Sequence, residues 1–276
     1  MKLLQSSRSL GWQVALVLAL VALVLLGPWI APYDPVAVDL GNVLAAPSGQ
    51  HWLGTDQLGR DLFSRVLAGG QRTVGISLAA IVLCILVGAT LGLLSGIKGK
   101  WLDWGVMRVS DAFLSFPEYV VAIVITGILG AGYVNLLLAI VAVKWVGYAK
   151  LVRAIVREQR GATYLTAARI SGAGTGRIVV GHLVPHAWGP VLSLATVDLG
   201  KIVLLVASLS FLGLGVPQPV PEWGFMLNEG RLYFGQTQLL MLAPGLAIFL
   251  FVLATSLVGD RLALRLGRTT SGEEEK

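Results

Sequence analysis

Apolar residues in this chain gather in long blocks separated by short polar stretches. Six blocks can be drawn, at 12–30, 74–97, 102–129, 134–156, 188–212 and 239–262. Each is about 20 residues or longer, the length a helix needs to cross a hydrocarbon layer about 30 Å thick. Backbone groups in lipid must be satisfied within the segment, so each block is expected to be helical. The pattern predicts an all-α integral membrane protein with six transmembrane helices. Residues 1–31 form an inner N-terminus and the first helix, 32–70 an extracytoplasmic segment, 71–262 the membrane core and 263–276 a tail. The apolar stretch of the first block exceeds a signal-peptide core, and Gly27-Pro28-Trp29 is a poor cleavage site, so it reads as a retained anchor.

Composition supports the same class. The hydrophobic set is 55% of 276 residues, and 34 glycines raise the apolar-plus-Gly share to about 67%, against roughly 45–50% in soluble domains. Charged residues are 13%, about half the usual share. A soluble globule with so few charges would leave large apolar patches in water, and disorder needs the opposite balance. The lone cysteine, Cys84, says nothing about redox compartment.

The net charge of +6 suggests nucleic acid until it is mapped. With the N-terminus placed in the cytoplasm, fifteen of the 21 Lys and Arg fall on the inner side and four (Arg60, Arg65, Arg72, Arg231) on the outer side. Lys144 and Lys201 lie inside blocks. The basic excess is thus a topology signal, with both termini inside, and nucleic acid is not an expected partner.

The inner segment 157–187 is unusually long for a connection between spans. Residues 163–171 carry helix formers, and Gly172-Ala173-Gly174 supplies a glycine stop. A second helical piece over 177–184 is expected to end at Pro185. Pattern alone leaves two readings open: a docking helix for a partner, or an amphipathic hairpin on the membrane surface.

Three motifs narrow the choice. Tyr164-Leu165-Thr166-Ala167-Ala168, three residues, Gly172, then Leu183-Val184-Pro185 resembles the EAA loop of ABC-importer permeases. His51-Trp52-Leu53-Gly54-Thr55-Asp56-Gln57-Leu58-Gly59-Arg60-Asp61 resembles the outer motif of the peptide/nickel permease family, C-type subunit. Ser210 to Val216, followed by Pro221-Glu222-Trp223-Gly224, resembles that subunit again. The departures are Thr166 where the family has Glu, and Val184 in place of Leu.

The resemblance implies a type I ABC importer transmembrane domain over 71–262. Tyr164, Ala167, Ala168, Arg169, Gly172 and Pro185 would belong to the coupling loop that docks on an ATPase subunit. Implied partners are a B-type permease subunit, two ATP-binding subunits and an extracytoplasmic solute-binding protein, in a bacterial inner membrane. ATP and Mg would bind to the partners, because no Gly-x-x-x-x-Gly-Lys-Ser/Thr loop occurs here. The stretches 169–174, 227–231 and Pro244-Gly245 resemble nickel-permease C subunits, with di- or oligopeptide import as the alternative. From the motifs, Trp52, Asp56, Arg60, Glu222 and Trp223 are expected to contact the binding protein.

Ionisable and hydroxyl side chains within blocks are candidates for the solute path, since burying them in lipid is costly. Asp111, Ser115, Ser208 and Ser210 are the expected lining residues. Asp198 and Lys201 read as a self-neutralising pair, and Glu118, beside Pro117, as a residue at a kink. His182 and His186 have the spacing of two ligands on a helix but no third ligand in sequence, so no metal site is expected; His51 reads as structural. A secondary transporter would need paired, broken half-repeats, and a membrane enzyme a catalytic constellation at depth; neither pattern is present.

Overall fold

The computed structural model describes residues 19–22, 24–217 and 219–271. The first part of the 12–30 block and the acidic end at 273–276 lie outside the described residues. The elements are α1 (Ala19–Ile30), α2 (Leu62–Lys98), α3 (Lys100–Leu114), α4 (Glu118–Leu129), α5 (Tyr133–Gln159), α6 (Thr163–Ile170), α7 (Thr175–Ile178), α8 (Val184–Phe211), α9 (Trp223–Arg231) and α10 (Leu239–Ser271). Among the described residues the only extended pairing is one isolated bridge, Thr55 with Asp61.

Among the described residues four helical stretches are long and apolar enough to cross a membrane: Leu62–Lys98, Tyr133–Gln159, Thr175–Phe211 and Leu239–Gly259. The third expected span is broken. Its halves, α3 and α4, meet at 93° across Ser115-Phe116-Pro117. Pro117 has no N–H to continue the ladder, and its ring disfavours helical backbone in the residue before it, so the break follows from the sequence. α4 is 12 residues, about 18 Å, too short to cross alone. Against the expected six transmembrane helices, the described residues hold four helices of spanning length, a bent pair and the shorter α1.

α2 begins well before the 74–97 block. It runs for 37 residues, about 55 Å, and so reaches beyond the hydrocarbon. Apolar patterning marks where a helix meets lipid, whereas Asp61 marks where this one starts: its carboxylate accepts from Ser64 N at 2.8 Å as an N-cap. Gly99 (φ 63) and Lys100 (φ 50) then turn the chain directly from α2 into α3.

The core centres on α2 against α5. Gly88, Gly92 and Gly96 recur every four residues on α2 and let the backbones close. A Cβ at Gly88 would sit 2.5 Å from Trp145 O, and one at Gly92 2.5 Å from Ala149 O. Small residues at such crossings give lipid-embedded helices the van der Waals contact that the hydrophobic effect cannot supply there. α8 packs on α10 and also touches α2 and α5. Large apolar side chains such as Leu86, Ile128, Phe249 and Leu250 remain exposed, as a lipid-facing or subunit-facing surface requires.

Candidate functional site

At one end of the molecule, the 31–61 segment folds against the start of α2 and the side of α9. Asp61 accepts from Ser64 and also meets His51 Nδ1 at 2.9 Å, with Tyr33 stacked 4.9 Å from the imidazole. His51 is thus a structural residue, as its motif position suggested. Beside it two guanidinium groups and two carboxylates are buried together. Arg60 Nε lies 2.6 Å and Arg65 Nε 3.1 Å from Asp56 Oδ2. Arg60 Nη2 and Arg65 Nη2 reach the two oxygens of Glu229 at 3.1 and 2.8 Å, and Gln57 Nε2 donates to Glu229 at 2.8 Å. Charges this deep are tolerated only when paired and hydrogen-bonded, and every member of the quartet is.

A second lock at the same end holds α9. Glu222 is fully buried and accepts from Thr73 Oγ1 at 2.6 Å and from the N–H groups of Gly224 and Phe225, each at 3.0 Å. Trp223 lies across Gly70 of α2 and donates from Nε1 to Val66 O at 2.8 Å. Burial pushes the Glu222 carboxyl above its ordinary value of 4.5, against the opposing pull of those donors. The expected binding-protein contacts Asp56, Arg60, Glu222 and Trp223 are 2, 2, 0 and 3% exposed: in this conformation they join the 31–61 segment and α9 to α2 and present no free surface. Trp52, 62% exposed beside Phe63, retains one.

The four expected path residues fall in three settings. Asp111 and Ser115 lie together at the end of α3, both exposed. The Asp111 carboxylate pairs with Lys150 Nζ at 2.9 Å, and the Ser115 hydroxyl donates to Asp111 O. Ser208 faces an outer groove of about 380 Å³ with Leu204, Phe211 and Leu227, whereas Ser210 is buried on the other side of α8. Glu118 sits at the bend and takes Lys144 Nζ at 2.8 Å, which explains a lysine inside a span. Lys201 reaches Asp198 only at 3.8 Å and stays largely exposed, a looser pair than the sequence suggested.

The opposite end carries a cluster that sequence reasoning missed. Asp103, at the start of α3, accepts from Arg153 Nη2 at 2.8 Å, from Arg157 Nη2 at 2.6 Å, and from Arg153 Nε and Ser95 Oγ. One carboxylate thereby ties together α2, α3 and α5. The available signal was an acidic residue at the start of the third block, among the basic residues that flank the second, third and fourth blocks. Thr73, Arg65 and Glu229 were missed for another reason: their partners are 149 to 164 residues away in sequence.

Just beyond this cluster hangs α6. Of its eight residues only Leu165 is buried, while Tyr164, Thr166, Ala167 and Arg169 are exposed and Ala168 is partly so. α6 ends in a Schellman turn: Ala173 N donates to Ala168 O and Gly172 N to Arg169 O, each at 3.0 Å, with Gly172 at φ 83. Tyr164 Oη donates to Gln159, and its ring meets His182 edge-on at 5.7 Å. Pro185 does not end the following helix. α7 passes through a π turn over Val179–Leu183 into α8, and Val184 N bonds to Val179 O, so the wider turn accommodates the proline at the start of α8. Among the described residues no three His, Cys, Asp or Glu side chains gather at metal-holding spacing.

Several apolar helices of spanning length, locked at one end and presenting a small exposed helix at the other, describe a polytopic membrane component. Residues 88–271 match the family described as "binding-protein-dependent transport system inner membrane component". The chain belongs to that family and is a permease subunit of an ABC importer, a class that works with a partner permease, ATPase subunits and a solute-binding protein. It is 43% identical over 255 residues to the nickel transport system permease protein NikC of Escherichia coli strain K12, covering 91% of this chain and 92% of that one. The dipeptide transport system permease protein DppC of Alkalihalophilus pseudofirmus is 38% identical, covering 80% and 73%. The probable D,D-dipeptide transport system permease protein DdpC of Escherichia coli strain K12 is 35% identical, covering 94% and 87%.

Proposed function

We propose that this subunit forms half of an ATP-driven path for nickel, free or chelated, across a bacterial inner membrane, paired with a B-type permease. Two ATP-binding subunits hold ATP and Mg and carry out hydrolysis, and the chain itself performs no covalent chemistry. Both termini and the 157–187 loop face the cytoplasm. α6 docks on an ATP-binding subunit through Tyr164, Ala167, Ala168 and Arg169, with Gly172 setting the turn and Pro185 the start of α8. ATP-driven closure of the motor moves α6 and tilts the spans between inward- and outward-open states, a shift driven by differential binding.

The similarity to a nickel permease over nine-tenths of both chains carries the nickel reading. Di- or oligopeptide import is the second reading, favoured by relatives whose names specify dipeptides. Reconstituting the complete transporter with its cognate binding protein and measuring ATP-dependent uptake of radioactive nickel and of a labelled dipeptide separates the two. Nickel uptake without dipeptide uptake is expected; the reverse result would transfer the assignment to peptides.

A further inference from the structure

Along α3, residues Lys100, Trp104, Met107, Arg108 and Asp111 follow the spacing i, i+4, i+7, i+8, i+11, which places them on one face of the helix. With Asp103 and Arg153 they line an open groove of about 490 Å³. Both carboxylates there are already neutralised: Asp103 by Arg153 and Arg157, and Asp111 by Lys150. Lys100 and Arg108 have no carboxylate within ion-pair distance among the described residues, and Arg108 lies over the Trp104 ring at 5.7 Å. The groove is therefore cationic, and its margin is aromatic. Trp101 is 82% and Trp104 59% exposed on the same short helix. Indole rings favour the headgroup level of a bilayer, and basic residues at that level favour anionic lipid.

We propose that this groove binds an anionic phospholipid, with its phosphate between Lys100 and Arg108 and its glycerol and upper acyl chain against Trp104 and Met107. The two basic residues are about 12 Å apart along the helix, a gap their long side chains can close from both ends. The lining points to a lipid and not to a soluble anion, because a free phosphate would make no use of the exposed Trp104 ring and Met107, nor of Trp101, whose ring lies 6.4 Å from that of Trp104. The site is also separate from α6, the element proposed to meet the motor. It rests on the proposed orientation, which puts this end of α2 and α3 at the inner leaflet, the side where anionic lipid draws basic segments. A lipid held here would sit against Arg153 and so beside the Asp103 cluster that joins three helices.

The test uses the complete transporter in nanodiscs of phosphatidylcholine with phosphatidylglycerol, carrying a photoactivatable form of one lipid or the other. Wild type is expected to label residues 100–111 about tenfold more with the phosphatidylglycerol probe. Lys100→Gln with Arg108→Gln is expected to bring that labelling down to the phosphatidylcholine level while phosphatidylcholine labelling stays unchanged. Arg108→Gln alone, with an intermediate loss, serves if the double variant does not assemble. Equal labelling of wild type by both probes would overturn the proposal, as would phosphatidylglycerol labelling that survives the double variant. Displacement of the label by millimolar inorganic phosphate would identify a free-anion site instead. Labelling that develops only after the ATP-binding subunits are stripped away would assign the groove to a protein partner, again overturning it. Co-elution of those subunits with the variant is scored separately, so a failure of the transporter reading is not confused with a failure of the lipid site.

Discussion

The close crossing of α2 and α5 makes opposite predictions for two glycine-to-alanine changes in one helix pair. At Gly92 a methyl group would lie 2.5 Å from Ala149 O, 3.0 Å from Val152 Cβ and 3.1 Å from Arg153 N. Two of these atoms are backbone, so no side chain can swing aside and the helices must separate by about 1 Å to restore ordinary contact. Overpacking of this kind costs about 1–3 kcal/mol, against a gain of about 0.5–1 kcal/mol from replacing a helical glycine. Gly92→Ala should therefore destabilise by about 1–2 kcal/mol. A methyl group at Gly147, on the exposed side of α5, would meet nothing within 4 Å, so Gly147→Ala should be neutral or stabilise by up to about 1 kcal/mol. Unfolding each variant in mixed micelles by titration with a denaturing detergent reads the difference. Equal stability of the two variants, or a more stable Gly92→Ala, would show that α2 and α5 do not pack as described.

Other contacts give further expected outcomes. Asp103→Asn removes the charge that receives Arg153 and Arg157; with Arg157 half exposed and contributing little, a loss of about 1–3 kcal/mol is expected in the same titration. Arg65→Met strands Asp56 and Glu229 beside a single guanidinium, and should open the outer segment to limited proteolysis between residues 31 and 61 where wild type resists. Glu222 binds its proton more tightly folded than unfolded, so its contribution to stability is greatest below about pH 4.5 and falls as the pH rises from there; Glu222→Gln should flatten that decline in thermal melts between about pH 5 and pH 8. Gly172→Val forces a β-branched residue to φ 83 in open space, a strain of about 1–2 kcal/mol confined to the turn after α6. Membrane insertion should persist while ATP-driven uptake is lost, and full uptake by that variant would remove α6 from the coupling role.

The parts of the molecule legible in sequence are those whose cause is local. Apolar blocks mark hydrocarbon, and Gly172 after a run of helix formers marks the end of α6. The break at Ser115-Phe116-Pro117 was also local, since Pro117 carried it, but the surrounding apolar residues concealed it within one continuous block. The early start of α2 was hidden because Leu62 to Thr73 mixes polar and apolar residues, and only the Asp61 cap announces a helix there. The buried charges were the least legible. Arg60 and Glu222 stand in motifs that suggested a contact surface, yet they reach Glu229 and Thr73, far along the chain, and Asp56 is closed off by Arg60 and Arg65. A buried, paired charge and an exposed recognition charge look alike until the fold brings the partner in. Asp103 shows the same limit: an acid among many bases reads as ordinary until Arg153, Arg157 and Ser95 close around it.

Everything proposed for transport depends on α6 being the surface on which an ATP-binding subunit acts. Cys84 is buried, which leaves the chain suited to single introduced thiols. With a cysteine in place of the exposed Ala167 in the complete transporter, a short thiol-reactive cross-linker should join this chain to an ATP-binding subunit, with a yield that changes when ATP is added. A thiol at position 167 that instead reacts with a membrane-impermeant reagent from the extracytoplasmic side, and never with an ATP-binding subunit, would contradict that role.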